Sequence, residues 1–124
     1  MQFVQTEKAA AAVGPYSQAA DTGALVFVSG QLGLSPKTGD MAEGFEAQTR
    51  QALSNMKAII EAAGRTVNDV AAVDVFVTDM GQFPVFNGIY AAFFGEHKPA
   101  RAVIEVSALP KAGLVEIKCV VAKA

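Results

Sequence analysis

The strongest periodic signal in the chain lies between residues 45 and 63. Phe45, Thr49, Ala52, Leu53, Met56, Ile59, Ile60 and Ala63 recur there at steps of three and four. That spacing predicts an amphipathic helix with one buried stripe. Glu46, Arg50, Lys57 and Glu61 fall on its other side, and Gly64 is the natural stop. A second helix is expected over 84–94, with Pro84 in its first turn, Gly95 at its end, and Phe86, Tyr90, Phe93 and Phe94 making an aromatic face. Between the two helices, AAVDVFVT at 71–78 alternates, with Val73, Val75 and Val77 on one face, which is the period of a strand. Two further strands follow, AVIEVSA at 102–108 and LVEIKCVVA at 114–122, joined by Leu109-Pro110-Lys111-Ala112-Gly113. Upstream, residues 17–30 read as two short strands around Thr22-Gly23. The apolar LVFV of the second suits a strand covered on both faces. The segment SPKTGD at 35–40 is turn chemistry and lacks the glycine and lysine spacing of a phosphate-binding loop.

The resulting order, β-β-α-β-α-β-β, predicts an α+β fold with a mixed β-sheet and two helices packed on one face. Helices between strands imply some parallel pairing through right-handed crossovers. Two helices cover one face of a sheet only, so the other face must meet water or another chain. Strands as rich in valine as LVEIKCVVA favour another chain, because large exposed apolar patches mark interfaces.

With 124 residues and 52% hydrophobic content, the chain is expected to form one domain, 1–124, with a substantial core. No apolar run approaches the ~18 residues that a membrane helix needs. The start, MQFVQTEKAAAAVG, lacks the features of a secretory leader, so a cytoplasmic location is expected. Ten Lys plus Arg against twelve Asp plus Glu give a net charge of -2. That leaves room for only a small basic face, so no nucleic-acid partner is expected. Cys119 is the single cysteine and His97 the single histidine. They exclude an intrachain disulfide and a two-histidine metal site within one chain.

Arg101 stands at a strand entrance after Pro99-Ala100, where rigid backbone suits bidentate capture of a carboxylate. Glu116 interrupts an apolar strand, and a carboxylate in such company needs a partner or a shifted pKa. Glu105 in VIEVS is a parallel case, and spacing alone does not choose between the two. Tyr16 after Gly14-Pro15, Ser29 beside Gly30, and Asn87 in the aromatic helix are further polar candidates, each equally compatible with structural hydrogen bonding. His97 is expected near a helix C-terminus and Cys119 in the core as a small hydrophobe.

Several segments together resemble the Rid family, often called the YjgF family: GPYSQA at 14–19, VSGQLGLSPKTGD at 28–40, AIIEAAG at 58–64, DVFVTDM at 74–80, FNGIYAAFF at 86–94, KPARAVIEV at 98–106 and LPKAGLVEIK at 109–118. The resemblance implies a chorismate-mutase-like fold and a homotrimer, with sheets inward, helices outward and a site between subunits. It implies hydrolytic deamination of reactive 2-imino acids and their enamine tautomers, such as 2-aminoacrylate, 2-iminopropionate and 2-iminobutyrate, to 2-oxo acids and ammonia. No metal or organic cofactor is implied. Carried over by motif, Arg101 would grip the substrate carboxylate and Glu116 would position or activate water. Tyr16, Ser29 and Asn87 would line the pocket, and main-chain groups near Gly30 and Val103 would orient the substrate. Better-known members carry cysteine where this chain has Val103. The alternatives are a non-catalytic small-acid-binding or chaperone-like protein of this fold, and a ribonuclease, which the charge balance supports poorly.

The pattern also carries a geometric expectation. If the last two strands formed a hairpin centred on Lys111, Arg101 would face Val121 and Glu116 would face Val106. The two would then lie ~17 Å apart along the ladder. A three- or four-carbon substrate does not span that, which points to a site shared between two chains.

Overall fold

A computed structural model describes residues 1–122. Eight regular elements follow in order: β1 (Gln2–Val4), β2 (Ala19–Asp21), β3 (Leu25–Leu32), α1 (Phe45–Ala62), β4 (Val70–Val77), α2 (Phe83–Phe94), β5 (Ala100–Glu105) and β6 (Val115–Ala122). The strands form one sheet in the order β1-β2-β3-β6-β4-β5. All pairs are antiparallel except β4 with β5. The sheet is mixed, and the fold is α+β as the pattern predicts.

In strand bounds and connections, three details depart from expectation. β1 is an additional strand, and at three residues it is too short for alternation to reveal. β5 runs over 100–105 rather than 102–108; its pairing ends where the Val106 N–H donates to the Val77 carbonyl at 2.8 Å. The hairpin between the last two strands does not form. β5 reaches the sheet from β4 through α2, a strand–helix–strand unit that seats it parallel to β4 on the outside. β6 is inserted between β3 and β4 instead. The connection holds a 3-10 turn at Pro110–Ala112, where Lys111 and Ala112 both take left-handed conformations (φ 56° and 55°).

The alternation expected of β4 is realised, whereas β3, expected to be covered on both faces, alternates instead: Val26 and Val28 face the core while Leu25 and Phe27 stay open on the other side. Val73, Val75 and Val77 of β4, Val115, Ile117, Cys119 and Val121 of β6, and Val26 and Val28 of β3 are all buried in one core. They share it with Leu53, Met56, Ile59 and Ile60 of α1 and Phe86, Tyr90 and Phe94 of α2. Each such side chain is worth roughly 1.5–3 kcal/mol of transfer free energy. The opposite face stays open. Phe27 and Ile104 remain 46% and 49% exposed, and Phe3 on the edge strand 68%.

α1 fixes the ends of the central strands. A Cβ on Gly33 would lie 2.5 Å from the Gln48 Cα, so only glycine lets the exit of β3 pass this close to the helix. Asn55, fully buried, donates from Nδ2 to the carbonyls of Leu32 (3.2 Å) and Leu34 (2.9 Å). The Gln48 Oε1 accepts from the Leu114 N–H at 2.8 Å. A buried amide left unpaired costs about 1–3 kcal/mol, so these ties set position as well as stability.

Candidate functional site

The sequence candidates fall into two groups. The first surrounds Glu116. In the β3–β6 pair the register passes from Val28 opposite Cys119 to Gln31 opposite Ile117, a bulge that leaves Ser29 and Gly30 facing the single residue between. The bulge brings the bare Gly30 backbone against the carboxylate, and a Cβ there would lie 2.8 Å from the Glu116 Cδ and Oε2. Glu116 sits on the open face in a cross-strand row with Leu32, Phe76 and Ile104. Burial in that apolar row pushes its carboxyl above the usual carboxylate value, with Lys118 pulling the other way.

A cleft of about 420 Å³ opens beside this carboxylate. Ser29, Gly30, Leu32 and Leu34 form one part of its lining, Ala10–Val13 and Tyr16 another, and Pro110 and Lys111 its rim. The Ser29 Oγ donates to the Ser17 carbonyl at 2.6 Å, so it offers the cleft lone pairs rather than a proton. Tyr16, half exposed, is turned by a main-chain bond from its N–H to the Gly14 carbonyl at 2.9 Å. The left-handed Lys111 and Ala112 at the rim cost roughly 1–3 kcal/mol each, and strain of this kind concentrates at functional sites.

The second group lies on edge strand β5. Arg101 pairs in register with Val73 and therefore points to the helix side of the sheet. Its Nη1 donates to the Asn87 Oδ1 at 2.8 Å, and its guanidinium lies 4.8 Å from the Tyr90 ring and 5.6 Å from the Phe83 ring. These three α2 residues share one helical stripe. Among the described residues the cation is held by neutral groups only, and one of its five N–H donors makes a hydrogen bond. Burial pushes the Tyr90 phenol up, so the ring remains a neutral support. Val103 is half buried, two residues further along. Because the Val106 N–H points inward to β4, the alternation of the strand turns the N–H and C=O of Val103 to the free edge.

One chain does not bring the two groups together. Arg101 aligns with Val73 and Glu116 with Phe76, on opposite faces of β4. Three residues along the strand and two strand spacings across it put their Cα atoms ~14 Å apart. The structure also separates the two glutamates. The Glu105 carboxylate accepts from the Met80 N–H at 2.8 Å and so braces a turn. The His97 Nε2 donates to the Val70 carbonyl at 2.7 Å, tying the end of α2 to β4. Cys119 is buried, with its thiol pushed up to about 12. Sequence reasoning missed Phe83 and Tyr90. Their spacing of four before and three after Asn87 is the signal that would have placed them under the same cation.

The family described as Endoribonuclease L-PSP matches residues 6–123. A 2-iminobutanoate/2-iminopropanoate deaminase of Salmonella typhimurium is 48% identical over 120 residues, 94% of each chain. The crystal structure of RidA from the Antarctic bacterium Psychrobacter superposes with a TM-score of 0.97 at 49% identity, over 99% of this chain and 100% of that one. Escherichia coli TdcF with bound serine superposes with a TM-score of 0.97 at 38% identity, over the whole of both chains.

Proposed function

The chain belongs to the YjgF/Rid family, and from that premise we propose that it is a hydrolytic deaminase of 2-imino acids working in clefts between the subunits of a homotrimer. The observation that carries this reading is the division of the candidates. A guanidinium supported by neutral groups stands on an exposed strand edge, and a desolvated carboxylate stands on an open apolar face. Neither half is a site alone. The edge of one copy laid against the open face of the next completes one and covers Phe27 and Ile104.

In such a cleft the substrate is a protonated imine bearing a carboxylate. The N–H donors of Arg101 bind the carboxylate in a bidentate fork. Unpaired main-chain groups at Val103 and lone pairs of Ser29 orient the imine. Glu116 takes a proton from water as its oxygen bonds to the imine carbon, and the C=N pair moves to nitrogen. The same carboxyl returns the proton to the amino group of the tetrahedral intermediate. The carboxylate then takes the hydroxyl proton as the C–N bond breaks, ammonia leaves, and the 2-oxo acid remains. A carboxyl held above its usual value is better matched to this work near neutral pH. The protonated imine is already electrophilic, so orientation and one general base carry the reaction.

The test is direct. A threonine dehydratase generates 2-iminobutanoate in the presence of the purified protein, and formation of 2-oxobutanoate is followed. The wild-type chain accelerates it, and Arg101→Lys falls to the buffer rate, because an ammonium does not reproduce the fork. A wild-type rate equal to buffer overturns the reading. RNA cleavage by that same inactive preparation would favour the endoribonuclease activity after which the family is described.

A further inference from the structure

The motif GPYSQA supplies Tyr16 to the cleft, but its Gln18 has no role in the reaction described above. Gln18 is 1% exposed. Its amide has two N–H donors and one carbonyl, and all are engaged with a single stretch of main chain. Nε2 donates to the Thr6 carbonyl at 3.1 Å and to the Ala10 carbonyl at 2.9 Å, and Oε1 accepts from the Thr6 N–H at 2.7 Å. The Gln18 carbonyl also accepts from the Ser29 N–H at 2.9 Å, so the residue sits directly against the bulge that carries Gly30.

The stretch it holds, residues 5–13, contains no helix or strand. Among the described residues, every side-chain hydrogen bond joining it to the rest of the chain comes from Gln18. Ala9 and Ala10 are buried at the clamp. Ala11, Ala12 and Val13 continue beyond it as an apolar wall of the Glu116 cleft. Gln18 therefore holds the wall with its side chain and, through its carbonyl, adjoins the bulge that faces Glu116.

We propose that Gln18 is a positioning residue that sets this wall and thereby the substrate side chains that the cleft admits. The proposal rests on the deaminase reading. The wall touches the part of a 2-imino acid that does not react. Loosening it weakens ground state and transition state alike, which raises KM and leaves kcat in place. General destabilisation does the opposite: it lowers the active fraction and leaves KM unchanged.

Gln18→Met keeps the length of the side chain and removes all three bonds. Amide exchange over Thr6–Val13 is expected to accelerate while β3 and β6 stay protected. KM for 2-iminobutanoate should rise about fivefold or more with kcat within about twofold, and the preference between short and long unbranched imines should flatten. Should Gln18→Met fail to fold, Thr6→Pro removes one of the bonds outside every strand and is expected to shift KM in the same direction by less. Unchanged exchange over Thr6–Val13, or a fall in kcat at constant KM, overturns the proposal. An inactive wild-type protein overturns the deaminase reading instead. Exchange, which needs no turnover, then decides alone whether Gln18 holds the wall.

Discussion

The carboxylate region and the arginine region are built in opposite ways. Glu116 stands mid-sheet, where a bulge, a bare glycine and an apolar row confine it, and the strands around it are tied to α1 by buried amides. Arg101 stands on the edge strand β5, exposed, supported from below by one stripe of a single helix. The first region has a desolvated acid, with Lys118 along the same strand and Lys111 at the cleft rim. The second has a cation and only neutral supports. Each has what the other lacks, and the intervening strand β4 keeps them apart. A fold that separates complementary groups by a sheet's thickness is suited to reuniting them across a symmetry axis, where edge and face come from different copies.

The most drastic way to break this comparison is to divide the two regions between chains. Arg101→Ala and Glu116→Ala are each expected to be inactive. After reversible dissociation and mixing at equal amounts, random trimers of the proposed kind would carry both intact residues in about a quarter of their clefts, so about a quarter of wild-type activity should return. Mass spectrometry of the mixed species establishes that exchange took place. No recovery in verified mixed trimers means that the two residues serve one chain's site or none.

Next in size is a change confined to the first region. Gly30→Ala places a methyl 2.8 Å from the Glu116 carboxyl. The atoms displaced are the end of a flexible side chain, so the sheet tolerates the change and the carboxylate swings away. A displacement of about 1 Å is enough for a loss on the order of 100-fold in turnover. The expected result is a protein that melts like wild type and turns over at about a hundredth of its rate. A Gly30→Ala variant with full activity would show that Glu116 does not act from the observed position. Gly33→Ala makes the contrasting control, since its methyl meets the Gln48 backbone and the cost falls on folding.

The sequence discloses these regions unequally. Both helices, the β4 alternation and the sidedness of the sheet are legible because burial imposes periods of 3.6 and 2 on residues such as Met56 and Val75. β1 is not, since Phe3 and its neighbours are too few to show a period. Strand order is not legible either, because alternation in 114–122 is the same whether β6 lies beside β5 or between β3 and β4. The face on which each candidate lies depends on that order. Arg101 reads as a cation at a strand entrance and Glu116 as a carboxylate inside an apolar strand, and only the register through Val73 and Phe76 shows them on opposite sides. At the bulge, Ser29 and Gly30 break the alternation itself. Roles came from family resemblance at motif positions. Gln18, Gln48 and Asn55 act over 8 to 66 residues of sequence, and nothing local marks them.

The smallest effect is a stability effect, and it asks whether the two regions sense each other in the assembled protein. Within one chain, burial raises the Glu116 carboxyl above its ordinary value of 4.5. The unfolded chain therefore releases this proton first as pH rises. The associated stability is full below about 4.5 and is lost as pH climbs through the raised folded value. Glu116→Gln removes a group that folding disfavours in its charged form. In an Arg101→Ala background at pH 8, the glutamine should raise Tm by about 1–3 °C, and at pH 4 the gain should vanish. With Arg101 present, a guanidinium brought across the interface favours the ionised carboxylate and offsets the penalty, so the gain at pH 8 should be smaller. The difference between the two backgrounds, at one protein concentration, is a double-mutant cycle for the distance between edge and face. Equal gains in both backgrounds would mean that the guanidinium of one subunit never comes near the carboxylate of the next. A gain that shrinks only when Arg101 is present places the two charges in one cleft without any appeal to turnover.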